Sequence, residues 1–214
     1  NGKIVEARIY FHHNPGHSGG PPGSGGGKDT NTCFALISKG AKWKTTENYV
    51  VDPSNSDGLS NNFVKNGIST DMETWDSQVV FDIFGNENLT ALVDGPDTIS
   101  PDNKNEIMFG SISSSGTIAA TIVWGIFSGP PAGREIVEYD MVFDDPDYTW
   151  GDATLNSSLM DFENIATHEL GHALGLNHPS NICTEETMYA FADLGETKKR
   201  TLNAGDIAGV NELY

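Results

Sequence analysis

A chain of 214 residues that is 37% hydrophobic and 20% charged is long and apolar enough to build one sizeable core, which excludes a disordered segment. Its 30 Asp and Glu against 12 Lys and Arg give a formal net charge of -18, a field that repels a phosphate backbone and excludes nucleic acid as a natural partner. No run of about 18 apolar residues is present, so nothing reads as a membrane span. No apolar leader follows Asn1, as expected of a cytosolic chain or of one already processed.

From the N-terminus, Lys3 to Phe11 alternate, with Val5, Ala7, Ile9 and Phe11 on one face and Glu6, Arg8 and Tyr10 on the other, the pattern of a half-buried strand. Residues 14–28 are rich in Gly, Pro and Ser and read as a flexible connector. His12, His13 and His17 sit in or beside it, where a solvated loop is preferred over a metal site. Cys33 to Ser38 reads as a second short strand. Residues 1–40 are therefore an arm laid against a main body of residues 41–214.

In the body, Asn48 to Val51 reads as a strand. Val64, Ile68, Met72 and Trp75 recur at helical spacing and predict a helix over Leu59 to Asp76. Strands are expected at Val79 to Phe84, Glu106 to Phe109, Thr117 to Phe127 and Ile136 to Phe143. Two acidic loops, with Asp94, Asp97 and Asp102 in one and Asp144, Asp145 and Asp147 in the other, are candidate calcium ligands or plain surface charge. A helix is expected from Asp161, its N-cap, to Leu174, and a last one from Ala204 to Tyr214.

The stretch His168-Glu169-Leu170-Gly171-His172-Ala173-Leu174-Gly175-Leu176-Asn177-His178 carries the chemistry. Residues four apart share a helix face, so His168 and His172 aim at one point. Gly175 can end the helix in a left-handed conformation, and the turn lets His178 return to that point. Three imidazoles and one open position make a catalytic rather than a structural zinc site, with Glu169 beside it as general base.

This pattern resembles that of the metzincin metallopeptidases, which pair it with a Met-turn; the candidate is Met188 in Glu186-Thr187-Met188-Tyr189. Among metzincins the chain is most similar to the matrixins. The similarity extends to Leu202 to Tyr214 as the closing helix, and more weakly to Ile118-Ala119-Ala120-Thr121 and Tyr139 to Asp145 as sheet strands. The resemblance implies an α+β fold: a twisted, mixed five-stranded sheet with two long helices over a small lower subdomain holding the Met-turn and C-terminal helix. It implies a zinc metalloendopeptidase, secreted and monomeric, that acts on extended protein or peptide substrates. Ile118, Ala119, Ala120 and Thr121 would lie on the sheet edge that pairs with substrate, with Tyr189 across the cleft. Asp206 would hold the Met-turn, or serve as an ordinary helix-terminal carboxylate. A second, structural zinc is not implied, because no histidine lies between His17 and His168. Cys33 and Cys183 admit a disulfide bracing the arm, a Cys33 thiolate on the zinc, or two free thiols. A catalytically silent zinc-binding module is the competing function, which Glu169 argues against.

Overall fold

A computed structural model describes residues 4–15 and 33–214; His17 and most of the Gly-rich connector lie outside the described residues. The element order is β1 (Glu6–His13), β2 (Ala35–Leu36), β3 (Glu47–Asp52), α1 (Asn61–Asp76), β4 (Phe84–Glu87), β5 (Glu106–Gly110), β6 (Thr117–Ile126), β7 (Glu135–Asp144), β8 (Trp150–Gly151), β9 (Met160–Asp161), α2 (Phe162–Ala173), β10 (Leu176–Asn177) and α3 (Ala204–Leu213).

The main sheet runs β1-β6-β7-β5-β3-β4. Strands β4, β3, β5 and β7 are mutually parallel, while β6 is antiparallel to β7, and β1 is antiparallel to β6. The mixed sheet and α+β architecture are those expected, with one addition: the sheet has six strands, because β1 joins it beyond β6. Strand β6 is consequently an inner strand here, not the edge that the matrixin resemblance implied.

Helix α1 starts at Ser60, whose side chain accepts from the Phe63 N–H and so satisfies one of the amides a helix leaves without a partner. Its buried face, Val64, Ile68, Met72 and Trp75, is the one predicted from spacing. The strand expected at Val79 to Phe84 begins only at Phe84. Before it the Asp76 carboxylate, at the end of α1, accepts from the Ile83 and Phe84 N–H groups, and Val80 is left fully exposed. Those side-chain bonds replace ladder bonds and hold the segment as a turn.

Helix α2 lies across the sheet with its residues almost wholly buried. Its N-cap Asp161 accepts from the Asn164 and Ala153 N–H groups and is paired with the Arg200 guanidinium. Three ring groups pin its length: Trp75 Nε1 donates to the Thr167 carbonyl, Trp43 Nε1 to that of Ala173, and the Tyr214 hydroxyl to that of Leu174. Strand β1 holds its faces the opposite way from the sequence reading. Ala7 and Ile9 point to solvent, while Tyr10 and His12 are buried. The strand's inner face meets a polar cluster on α2 rather than apolar core, so the rings that can pack against imidazoles take the inside.

Candidate metal centre

Helix α2 brings His168 and His172 onto one face, as spacing four requires. Leu174 is the C-cap, and Gly175 follows at φ +119°, a left-handed backbone that turns the chain away from the helix axis. A Cβ there would stand 3.1 Å from the Ala41 carbonyl oxygen and 3.0 Å from Leu213 Cδ1, so the turn is tight as well as left-handed. Two residues of strand β10 then return His178 to the helix face.

The three Nε2 atoms converge. His178 Nε2 lies 3.1 Å from His168 Nε2 and 3.1 Å from His172 Nε2. A tetrahedral zinc with bonds of about 2.0–2.1 Å needs its nitrogens roughly 3.3 Å apart, so the donor set fits the ion. The opposite ring nitrogens carry the outer support. His168 Nδ1 bonds the Thr187 carbonyl at 2.6 Å, and His172 Nδ1 bonds the Leu176 carbonyl at 2.9 Å. A carbonyl can only accept, so both Nδ1 atoms carry the proton and both Nε2 atoms offer a lone pair inward. Burial holds all three imidazoles below their ordinary range, His172 at about 4, which keeps them neutral.

Glu169 is fully buried beside the triad. The Thr121 hydroxyl, from β6, donates to its Oε2 at 2.5 Å. Burial pushes its carboxyl up to about 8, against the lowering effect of that hydroxyl and of Lys199. Met188, 1% exposed, lies under α2 against Gly171. The loop that carries it is fixed by Asp206, which accepts from the Thr187 N–H at 2.7 Å and the Met188 N–H at 3.1 Å. The same carboxylate accepts from the Asn203 N–H and completes a capping box at the start of α3. Both readings of Asp206 hold at once.

The other expected residues fall as follows. Ile118, Ala119, Ala120 and Thr121 lie on β6, paired with β1 on one side and β7 on the other. Tyr189 follows Met188, its carbonyl accepting from Lys199 Nζ at 2.8 Å. Cys33 and Cys183 are joined in a disulfide, so the Cys33 sulfur is not placed to cap a metal. Of the acidic loop residues, Asp94 and Asp102 flank the Lys104 ammonium at 2.5 and 2.7 Å. Asp97 instead turns toward Glu138 and Asp140, and these three carboxylates are spaced closely enough to hold a cation.

Three buried residues near the site were missed in the sequence. His12, read as part of a solvated loop, is fully buried on β1, and Tyr10, two positions before it, is buried on the same face. The Tyr10 ring stacks on His172 at 4.4 Å between centroids, and the His12 ring lies 3.8 Å from that of His168. His12 Nδ1 is 3.5 Å from Glu169 Oε1. The one signal was their alternation with each other on the strand. Lys199, fully buried, was also unforeseen; burial lowers its ammonium to about 8.

The model of the matrixin family matches residues 127–214, which hold the triad, Glu169, the Met188 loop and α3. Over these residues the chain is similar to the matrixins. Among curated proteins, its sequence is 45% identical over 56 residues to metalloendoproteinase 1-MMP of Arabidopsis thaliana, covering 26% of this chain and 14% of that protein. It is 39% identical over 71 residues to human matrilysin, covering 33% of this chain and 25% of the other. Metalloendoproteinase 1 of Glycine max matches at 39% over 75 residues, or 33% of this chain and 24% of that one. The chain thus spans a quarter or less of the length of these relatives. The matrixin family implies zinc dependence, and the matrixin-like domain supplies a triad of suitable donors. Among the described residues no helix is long and apolar enough to cross a membrane.

Proposed function

We propose that the matrixin-like domain is a zinc-dependent endopeptidase, with His168, His172 and His178 as metal ligands and Glu169 as general base. The observation that carries this reading is the convergence of three Nε2 lone pairs beside a buried carboxylate. A structural metal needs no such base. The names metalloendoproteinase and matrilysin of the matched relatives support the same reading.

When bound, a zinc ion at the triad supplies Lewis acidity, polarising a peptide carbonyl and bringing the pKa of water toward about 7. Thr121 holds Glu169 by Oε2 and turns Oε1 toward the reacting centre. At Oε1 the carboxylate takes a proton from the attacking water and then delivers it to the departing amine nitrogen. The new C–O bond forms directly from water as the C–N bond breaks, so no acyl-enzyme is made. The Thr187 and Leu176 carbonyls keep His168 and His172 in the required tautomer, and Met188 provides an apolar floor.

The substrate class is extended protein or peptide; the main chain of β6 at Ile118 to Thr121, with Tyr189 on the facing wall, can hold it once β1 leaves its place beside β6. One chain carries every group named, so a monomer suffices. The Cys33–Cys183 disulfide suits an oxidising compartment and therefore secretion. The test is Glu169→Ala in the zinc-loaded chain. Zinc content is expected to stay as in wild type, while turnover of a casein substrate falls by about 10²–10⁴-fold. Undiminished turnover overturns the role of Glu169.

A further inference from the structure

Strand β1 occupies the place beside β6 that an extended substrate would need. It pairs antiparallel with β6 from Glu6↔Gly125 to His13↔Thr117. On its other side it meets the segment after Met188: His13 bridges Phe191 in parallel, its N–H donating to the Ala190 carbonyl at 3.3 Å and its carbonyl accepting from the Ala192 N–H at 3.1 Å. The strand therefore crosses the cleft from wall to wall.

Its side chains are not those of a strand that simply completes a sheet. Such a strand buries its apolar side chains and exposes the polar ones. Here Ile9 is 45% exposed, while Tyr10 and His12 are driven against the metal-site imidazoles. The Tyr10 ring covers His172, and the His12 ring covers His168 and comes within 3.5 Å of Glu169 Oε1. Arg8 anchors the strand from the same face, donating to the Ile37 carbonyl at 3.0 Å and lying over the Phe127 ring.

We propose that β1 is a built-in ligand of the peptide cleft: the cleft binds an extended segment with aromatic or imidazole side chains at alternate positions, and the chain's own Tyr10-Phe11-His12 fills it and restrains turnover. This rests on the endopeptidase reading above. The restraint is reversible by its construction. Opening breaks the β1–β6 pairing, the His13–Phe191 bridge and the Arg8 contacts, and leaves the pairing of β3, β5 and β7 in place. The released strand remains tethered through residues 14–32 to Cys33, which is bonded to Cys183 beside the cleft, so it rebinds at high effective concentration. Observed turnover is then reduced to the fraction of chains whose β1 is out of the cleft.

The experiment uses the full, zinc-loaded chain carrying Tyr10→Ala and His12→Ala. Its kcat/KM on an unstructured peptide is expected to exceed wild type by about 10-fold or more, the open fraction having risen. A synthetic peptide of residues 4–15 should inhibit this variant in trans, and a copy with both rings replaced by Ala should not. The same labelled peptide, followed by fluorescence anisotropy, should bind the variant and be excluded from wild type, a readout that needs no turnover. A second variant, Ile9→Cys with Ile122→Cys, joins a facing pair of the two strands. Oxidised, it should be inactive; reduced, it should match wild type treated with the same reductant. Equal kcat/KM in wild type and the ring variant, failure of the labelled peptide to bind, turnover by the locked chain, or self-cleavage within residues 4–15 each overturns the proposal. Binding of the peptide with no turnover by any chain overturns the endopeptidase reading and leaves β1 as the cleft's ligand.

Discussion

Replacing Gly171 with Ala sets two physical effects of opposite sign against each other. Gly171 lies within α2, between His168 and His172. Helix propensity alone favours Ala over Gly there by about 1 kcal/mol. Packing opposes it. A Cβ at this position would overlap Met188 Sδ, stand 3.0 Å from Met188 Cε and lie 2.9 Å from Trp75 Cζ2. Neither neighbour is free to retreat. Met188 is 1% exposed with its N–H held by Asp206, and Trp75 is fully buried with its indole N–H on the Thr167 carbonyl. Overpacking of a filled core costs about 1–3 kcal/mol, and straining one of those hydrogen bonds adds about 1 kcal/mol. Subtracting the propensity gain leaves a destabilisation of about 1–3 kcal/mol. Urea unfolding of the metal-free protein measures it directly, and a zinc titration should show weaker binding as the Met188 floor shifts. A variant more stable than wild type by about 1 kcal/mol would refute the claim that Met188 and Trp75 are locked beneath the helix.

Three further outcomes follow from the same contacts. Asp206→Asn removes the charge that gathers the Thr187, Met188 and Asn203 N–H groups and points a donor at one of them; stability should drop by about 2–4 kcal/mol in chemical denaturation, with zinc affinity falling alongside. Burial, reinforced by neighbouring carboxylates, raises Glu138 to about 8 and Asp140 to about 7, so the folded chain keeps protons that the unfolded chain has lost above about pH 5. Stability from this cluster is therefore full below about pH 4 and lost as pH rises toward 8; Glu138→Gln, measured in chelator, should flatten the decline by up to about 1.4 kcal/mol per pH unit, and an unchanged slope counts against the cluster. Removing the Cys33–Cys183 link with a double Ser variant frees a loop of separation 150 and should cost about 2–5 kcal/mol in thermal or chemical unfolding.

The convergence of the three histidines was legible in the sequence because its geometry is local. Spacing four on a helix, a glycine able to adopt φ +119° and a short return fix His168, His172 and His178 within eleven residues. Helix α1 was legible for a related reason, since its apolar period and Ser60 cap act within one segment. Strand β1 was legible as a strand but not by its faces. Which face turns inward depends on the neighbour, and that neighbour is a histidine cluster some 160 residues away in sequence. The same non-locality hid the inner position of β6, the Asp97–Glu138–Asp140 group and the burial of Lys199. The turn at Val79 to Ile83 reads as a strand by composition, and only the Asp76 carboxylate, reaching across it, decides otherwise.

The central claim is that three imidazoles hold one ion on which peptide hydrolysis depends. Stripped protein titrated with zinc while casein cleavage is followed tests it most directly. Activity should be absent without metal and rise to a break at one zinc per chain, and His178→Ala should show no break at the same zinc concentrations. Cleavage that persists in the metal-free chain, or a correctly folded chain that takes up no zinc, would contradict it.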